Sequence, residues 1–282
     1  AFPGNVALWS DNVNYARGHW INGRAASRPL SSVVAEICEN TALMAYDVSA
    51  LHGVVRGYGI DDMTTARSAL QPLMMAYGFD AIERDGVLVF RTRTARLDAS
   101  VDSATLVYEK GTEGAIELTR TPEAEVSGRV RVGYVEADAD YEVRTTEVVF
   151  PDTRGQTTSG SDLSLVLTSA EGQRIAERWL SEARVARDTA RFTLPPSLMS
   201  VGAGDVIRLP DEYGDGLFRI DQVEQTDRQA LEAVRIEPAI YEPQDVTEKT
   251  INLRNFVPPV PVEMMLMDLP LLRGDEDPVA PY

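Results

Sequence analysis

The amino-acid sequence predicts an α+β protein with antiparallel β-barrel-like domains, a small inserted α/β domain and a Pro-rich C-terminal connector. Three observations lead to this prediction. A long amphipathic helix that begins at Thr168 runs into short strands separated by Gly-rich turns. A second helical stripe ends at Gly78 and is followed at once by a hairpin pattern. Beyond Glu242 prolines accumulate, and repeated prolines favour an extended chain.

We expect residues 1–29 to form an N-terminal arm of short strands that joins the strands of the later barrel. The segment is rich in Asn and Gly, and we expect its aromatic residues Trp9, Tyr15 and Trp20 to be held by burial.

Residues 30–97 form the predicted small α/β domain. Its first helix begins near Leu30, where Ser31 and Ser32 can cap it, and it ends within residues 40–45. A second helix covers 64–77, and its apolar residues recur at helical spacing: Ala66, Ala69, Leu70, Leu73, Met74 and Tyr77.

Two glycine positions and one proline refine this domain. Gly78 supplies a left-handed stop to the second helix, and Pro72 predicts a kink inside it. Strands 79–84 and 87–93 flank Asp85-Gly86, a pair suited to a type I′ turn.

Residues 98–245 form the predicted barrel-like domain. Alternating apolar and polar residues predict strands at 106–108, 116–119, 129–136, 141–150, 191–194, 205–209, 217–224 and 231–236. Residues 152–161 are polar and contain glycine, which predicts an exposed loop.

The long helix of this domain covers 168–188. Thr168 and Glu171 have the spacing of a capping box. Its predicted buried stripe comprises Ile175, Ala176, Trp179, Ala183 and Ala186. The side chains expected to face water are Arg174, Glu177, Arg178 and Arg184. After residue 245, the connector 246–282 is expected to lie along a partner or to lead to another domain.

Charge is the unusual bulk property of the chain. Its 282 residues include 44 acidic and 27 basic ones, which gives a net charge of −17. Such a surface repels nucleic-acid phosphates and anionic lipid, so DNA wrapping is disfavoured, although DNA can pass an acidic channel without sticking. Solubility alone is the simpler explanation of the charge.

The candidate reactive residues predict no catalytic, cofactor or metal site. Cys38 is the only cysteine, which excludes an intrachain disulfide, and it lies on an apolar helix face where a thiol packs as a small hydrophobe. His19 and His52 lack the spacing of metal ligands, and we expect both to be structural. An enzyme is therefore not expected.

Three further patterns have simple structural explanations. The acidic run 136–140 resembles the start of a calcium loop but has Val143 where that loop needs glycine, which favours a hairpin turn. Gly57-Tyr58-Gly59 and Gly202-Ala203-Gly204 lack the third glycine of a dinucleotide site and predict turns. Arg91 and Arg93 could contact an anion or a partner, but a solvated hairpin face is expected.

The stretch 15–24, with sequence YARGHWINGR, resembles the large tail-tip (megatron) protein of bacterial gene transfer agents, a relative of phage host-specificity proteins. Residues 46–49, 54–60 and 69–73 resemble its hub-like unit. Residues 204–207 and 218–220 resemble its phage-tail domain.

This resemblance implies a structural hub of the tail-tip baseplate. It implies a homotrimer around the DNA exit path, contacts with other tail and baseplate proteins, and only indirect contact with the host envelope. It also implies assembly in the bacterial cytoplasm and release with the particle. Full-length members carry a TIM-barrel-like, glycosidase-related domain upstream, and no catalytic residue or cofactor carries over to this chain.

Two other functions stay open from the sequence. In a carbohydrate-binding or peptidoglycan-processing module, Trp9, Tyr15 and Trp20 would form the sugar platform if they are exposed. A secreted adhesin would need an export signal upstream.

Overall fold

The computed structural model describes residues 27–60, 65–108, 114–137, 142–151 and 157–242. The chain divides into a unit of Ala1–Lys249 and a unit of Thr250–Tyr282, and the second lies outside the described residues. So does the predicted connector 246–282. The architecture below is that of the first unit, and none of its described helices is long and apolar enough to cross a membrane.

Three α-helices occur in the described ranges: α1 (Leu30–Asn40), α2 (Ala66–Tyr77) and α3 (Ser169–Val185). The strands are β1 (Arg28–Pro29), β2 (Tyr46–Ala50), β3 (Val54–Val55), β4 (Phe79–Arg84), β5 (Val87–Thr92), β6 (Ala99–Ser100), β7 (Ile116–Arg120), β8 (Arg129–Glu136), β9 (Val143–Val149), β10 (Thr158–Leu167), β11 (Asp188–Leu194), β12 (Val206–Arg208), β13 (Leu217–Gln225) and β14 (Gln229–Ile236). The predicted α+β class is confirmed.

The strands form two mixed three-stranded sheets, a larger sheet and a short pair. The mixed sheets have the orders β2-β5-β4 and β10-β8-β9, and each joins one parallel pair to one antiparallel pair. The larger sheet has the order β6-β12-β13-β14-β11-β7. This sheet is open rather than closed into a barrel, because β6 and β7 at its two ends do not pair with each other.

The described residues of the first unit form two hydrophobic cores. Core 1 is built from α1, α2, α3 and both three-stranded sheets, with Phe79 and Phe90 in edge-to-face contact at 6.1 Å. Core 2 lies on the larger sheet and includes Phe192, Phe218 and Ile220. Core 1 therefore draws on residues from both sides of the predicted boundary at residue 97.

The local signals for α2 and α3 are confirmed. Thr65 caps α2, and Gly78 ends it with a left-handed φ of 63°. The capping box of α3 is complete, since the Glu171 carboxylate accepts from the Thr168 N–H at 2.9 Å and the Thr168 hydroxyl accepts from the Glu171 N–H at 3.2 Å. Pro72 lies inside α2, and the helix runs through it.

Several strand and cap predictions are wrong. Residues 158–161 belong to β10 instead of a loop, because a parallel ladder to β8 holds this polar segment extended. Residues 106–108 form no strand, although Leu106 is buried. Ser31 and Ser32 do not cap α1, which begins after Pro29, and the Ser32 hydroxyl donates to the Pro29 carbonyl at 2.9 Å.

The predicted N-terminal arm is described only at its end. There, β1 pairs with β3 instead of with a strand of the larger sheet. Residues 1–26 lie outside the described ranges.

Candidate functional site: the charged junction between the two cores

The charged junction is a group of charged side chains where the β4–β5 hairpin and α3 meet the larger sheet. Its members are Asp80, Arg84, Arg91, Arg93, Asp98, Arg178, Glu182 and Asp205. The hairpin turns at Asp85 and Gly86, whose φ values of 52° and 78° are those of a type I′ turn. The register pairs Asp80 with Arg91 and Ile82 with Val89. Because side chains alternate along a strand, Asp80, Ile82 and Arg84 share one face, opposite to Phe79 in core 1.

Arg93 connects the hairpin to α3. Its guanidinium donates to Asp80 at 2.9 and 2.7 Å and to Glu182 at 2.9 Å. Burial disfavours the charge of Arg93, but hydrogen bonds and the charges of these two carboxylates outweigh burial and raise its pKa. Arg93 is thus held charged between two elements of the fold.

Asp205 receives two arginines of the hairpin. It lies 2.7 Å from Arg84 and 3.0 Å from Arg91, and its side chain is only 8% exposed. The second oxygen of Asp205 accepts from the Gly202 N–H at 2.9 Å, so the turn at 202–205 is folded around the carboxylate. This arrangement joins the hairpin to the start of β12.

Arg91 bridges Asp205 and Asp98. Its Nη2 donates to the two Asp98 oxygens at 2.7 and 2.9 Å, and Asp98 in turn accepts from the Val206 N–H at 3.0 Å. Burial disfavours the charge of Arg91, but the two carboxylates raise its pKa overall. Arg91 therefore carries a fixed positive charge with two anionic partners.

Gly204 allows a close approach between the β4–β5 hairpin and the larger sheet. Its φ is +79°, and a Cβ atom built on it would lie 2.1 Å from Ile82 Cδ1. Glycine is needed here for both the left-handed backbone and the contact. The predicted turn is confirmed, and its role is to let the hairpin pack against the larger sheet.

Arg178 of α3 completes the junction from the core 1 side. Its Nη2 donates to the carbonyl oxygens of Met75 and Ala76 at 2.6 and 2.9 Å. These carbonyls belong to the last turn of α2, where helices lack internal donors. Burial lowers the pKa of Arg178, and the Glu182 carboxylate opposes that effect.

The structure corrects the predicted positions of four arginines. Arg178 does not face water, and Arg184 stacks on Phe150 at 3.6 Å and pairs with Glu123 at 2.7 Å. Arg91 and Arg93 are not a solvated face, because both are partly buried in ion pairs. Apolar periodicity could not reveal these partners, since they lie far away in the sequence.

The buried face of α3 also differs from the predicted stripe. Ile175 and Ala176 are buried as expected, whereas Gly172 and Leu180 complete the buried face. Ala183 and Ala186 are only half-buried.

The candidate reactive residues are dispersed. Cys38 is fully buried in core 1, where burial, followed by the charge of Glu39, raises the pKa of its thiol. His52 is exposed, and Glu136 is fully buried beside Tyr134. Among the described residues, no three His, Cys, Asp or Glu side chains are grouped to hold a metal ion.

Other sequence candidates lie outside the described residues or pair with a strand. Residues Trp9, Tyr15, His19 and Trp20 and the acids Asp138 and Asp140 are outside. The turn predicted at Gly57-Tyr58-Gly59 is wrong, because Tyr58 forms an isolated β-bridge with Leu165, and the backbones of Gly57 and Gly59 bond to Val166 and Ser164 of β10. The charged junction stabilises the packing of the elements around core 1 against the larger sheet, because each of its arginines has carboxylate or carbonyl partners.

Comparisons with known proteins place this geometry among tail proteins. The family model described as "Putative phage tail protein" matches residues 65–223, more than half of the chain. A chain from the virion of a native gene transfer agent particle is 54% identical with a TM-score of 0.76, and the match covers 86% of this chain and 55% of that one. This chain thus spans about half the length of that relative.

A tail protein from Neisseria meningitidis MC58 shares the fold at 14% identity and a TM-score of 0.51, with 77% of this chain and 69% of that chain covered. A comparison with curated proteins gives no match.

Proposed function

The chain belongs to the phage tail protein family, and on that premise we propose that it is a structural component of the tail-tip baseplate of a phage-like particle of the gene transfer agent type. The observation that carries the proposal is its 54% identity to a chain of a gene transfer agent virion. In this role it forms a hub that links the tail tube to the host-contacting tip.

The charged junction supports a mechanical role. Arg91 and Arg93 each bridge two carboxylates, and Arg178 closes the end of a neighbouring helix. Fixed ion pairs with several partners resist displacement more than isolated surface pairs do. A scaffold that transmits force between a tube and a tip needs such a connection and no reacting group, so we propose no enzymatic step.

The assembly we propose is a homotrimer around the path of DNA. Its partners are the other tail and baseplate proteins, with the host envelope reached indirectly. Part of the −17 net charge lines the channel, where like charge lets DNA slide without sequence-specific binding. The particle assembles in the bacterial cytoplasm and is released from the cell.

The domain organisation we propose follows the sequence pattern. Residues 1–29 are an arm, 30–97 a small α/β hub domain, 98–245 the phage-tail domain with the long helix, and 246–282 a connector. The charged junction then joins the hub domain, through its β4–β5 hairpin, to α3 and the larger sheet.

Gold labelling of particles tests the location. Met44 is 90% exposed, so Met44→Cys offers a reactive thiol to maleimide-gold, and Val143→Cys, at a residue that is 79% exposed, offers a second position. Unsubstituted particles are the matched control, because they show the labelling of all native cysteines, and Cys38 of this chain is buried. Electron microscopy should show gold at the tail tip of either variant. Gold on the head, or variant chains absent from particles, would overturn the proposal.

A further inference from the structure

A groove of about 1130 Å³ runs along β4, beside the charged junction. One wall is the consecutive stretch 80–85 of β4 and its turn. The rest of the lining comes from β13, with Arg219, Ile220, Asp221, Val223 and Gln225, and from residues 199, 200 and 202–204. Met74 and Met199 contribute apolar surface.

The wall made by β4 is the outer edge of its sheet, and no described strand pairs with it there. β4 is an outer strand in the order β2-β5-β4. In a two-residue hairpin the residues flanking the turn form a hydrogen-bonded pair, here Arg84 and Val87, and such pairs alternate along the strands. Ala81 and Glu83 therefore direct their N–H and C=O groups away from β5.

The outward backbone groups of this edge have no hydrogen-bond partner among the described residues. In the described part of the chain, neither Ala81 nor Glu83 forms a backbone hydrogen bond with another element. An edge with free donors and acceptors is a template for another extended segment. The space beside it is a groove, which an added strand would occupy.

The uncompensated charge of the groove is negative. Its three arginines have carboxylate partners: Arg84 with Asp205, Arg93 with Asp80 and Arg219 with Asp221. The exposed carboxylates of Glu83 and Asp85 have no ion-pair partner within the described ranges. Charge complementarity therefore favours a cationic occupant and disfavours nucleic acid.

We propose that this groove binds an extended segment of a partner protein, which adds as a strand to the edge of β4. Backbone groups of Ala81 and Glu83 hold the segment, and a Lys or Arg on it pairs with Glu83 and Asp85. Apolar side chains on its other face contact Met74 and Met199. This inference does not depend on the trimer proposed above, because every residue it uses lies in one chain.

Peptide selection tests the proposal without a known partner. The probe is a display library of random peptides of about seven residues, roughly the length of one strand, panned on the full chain. Selected peptides should combine a Lys or Arg with alternating apolar residues. The best synthetic peptide should protect the amides of Ala81 and Glu83 from hydrogen exchange in the unsubstituted protein.

Two variants at one position provide a matched pair. Ala81→Pro removes an outward N–H and leaves the β4–β5 ladder intact, so it should weaken peptide binding by about tenfold or more. Ala81→Gly keeps the N–H and should bind like the unsubstituted protein. Glu83→Pro serves as the second edge variant if Ala81→Pro misfolds, and Glu83→Gln with Asp85→Asn should weaken binding of basic peptides alone.

Several outcomes would overturn the proposal. These are a library that yields no enriched sequence, an enriched peptide that binds Ala81→Pro unchanged, or amide protection at another strand instead of β4. Selection of peptides without basic residues would overturn the electrostatic part.

Discussion

Arg178 donates a 2.6 Å hydrogen bond to the carbonyl oxygen of Met75, 103 residues earlier in the chain. The same guanidinium carbon lies 3.2 Å from where a Cβ atom of Gly78 would be, so the glycine makes room for the arginine. One side chain of α3 therefore closes the C-terminal end of α2. This contact joins two helices of core 1 next to the ion pairs of the charged junction.

Loss of the Arg178 side chain should destabilise the protein. Arg178→Ala leaves two partly buried carbonyl groups without donors, and we expect the free energy of unfolding to fall by about 2–4 kcal/mol. Urea unfolding followed by circular dichroism measures the change. Arg174→Ala, one turn away on the exposed side of α3, should change stability by less than about 0.5 kcal/mol. Equal effects of the two substitutions would contradict the capping role.

The contact between Gly204 and Ile82 predicts an asymmetric effect of alanine. Gly204→Ala introduces both backbone strain at a left-handed φ and a clash with Ile82, and should lower the free energy of unfolding by about 2–4 kcal/mol. Gly86→Ala is the matched control, because its φ is also positive at 78° but nothing lies within 4 Å of its Cβ position. Gly86→Ala should lower the free energy of unfolding by only about 1 kcal/mol. Ile82→Val in the Gly204→Ala background should recover part of the loss, since it removes Cδ1.

Neutralising Asp205 should loosen the hairpin from β12. Asp205→Asn leaves Arg84 and Arg91 with a weaker partner, and because both arginines are partly exposed we expect a loss of about 1–3 kcal/mol. The control is Asp215→Asn, at a carboxylate that is 95% exposed and 3.9 Å from Arg208. A loss for Asp205→Asn no greater than that for Asp215→Asn, measured by thermal unfolding, would show that the junction contributes little to stability.

Alkaline pH should destabilise the fold through two tyrosines. Burial, and then the nearby carboxylates Glu171 and Glu182, raise the pKa of Tyr77 and of Tyr241 to about 12, above the usual 10.0. The unfolded chain therefore loses these protons first. Stability is unaffected by both groups below pH 10, falls between about pH 10 and 12, and levels off above that.

Unfolding midpoints across this range measure the tyrosine effect. Tyr241→Phe should give a shallower decline with pH. Tyr108→Phe, which removes an exposed hydroxyl, should leave the slope unchanged. An unchanged slope in Tyr241→Phe would exclude the assignment.

Features with local causes were predictable from the sequence. The hairpin around Asp85-Gly86 needs only a pair that tolerates positive φ, and the capping box needs only Thr168 and Glu171 at the right spacing. The end of α2 at Gly78 was predictable because it depends only on the left-handed backbone conformation of the glycine itself. These signals depend on residues a few positions apart.

Features that depend on distant partners were missed. A charged residue such as Arg178 is expected on the exposed face of a helix. It is a partly buried hydrogen-bond donor only because the C-terminal end of α2 lies next to it. The first half of β10 is polar, and its strand conformation comes from the ladder to β8. The larger sheet contains the strands predicted after α3. Whether such a sheet closes into a barrel depends on pairing between its end strands β6 and β7, and the alternation of apolar and polar residues does not encode that pairing.

A cryo-electron microscopy reconstruction of the intact particle, with the copies of this chain identified in the tail, tests the proposed trimeric hub most directly. We expect three copies at the tail tip around the DNA path, with acidic side chains facing the axis. A ring with another number of copies, a position away from the tip, or basic side chains facing the axis would contradict it.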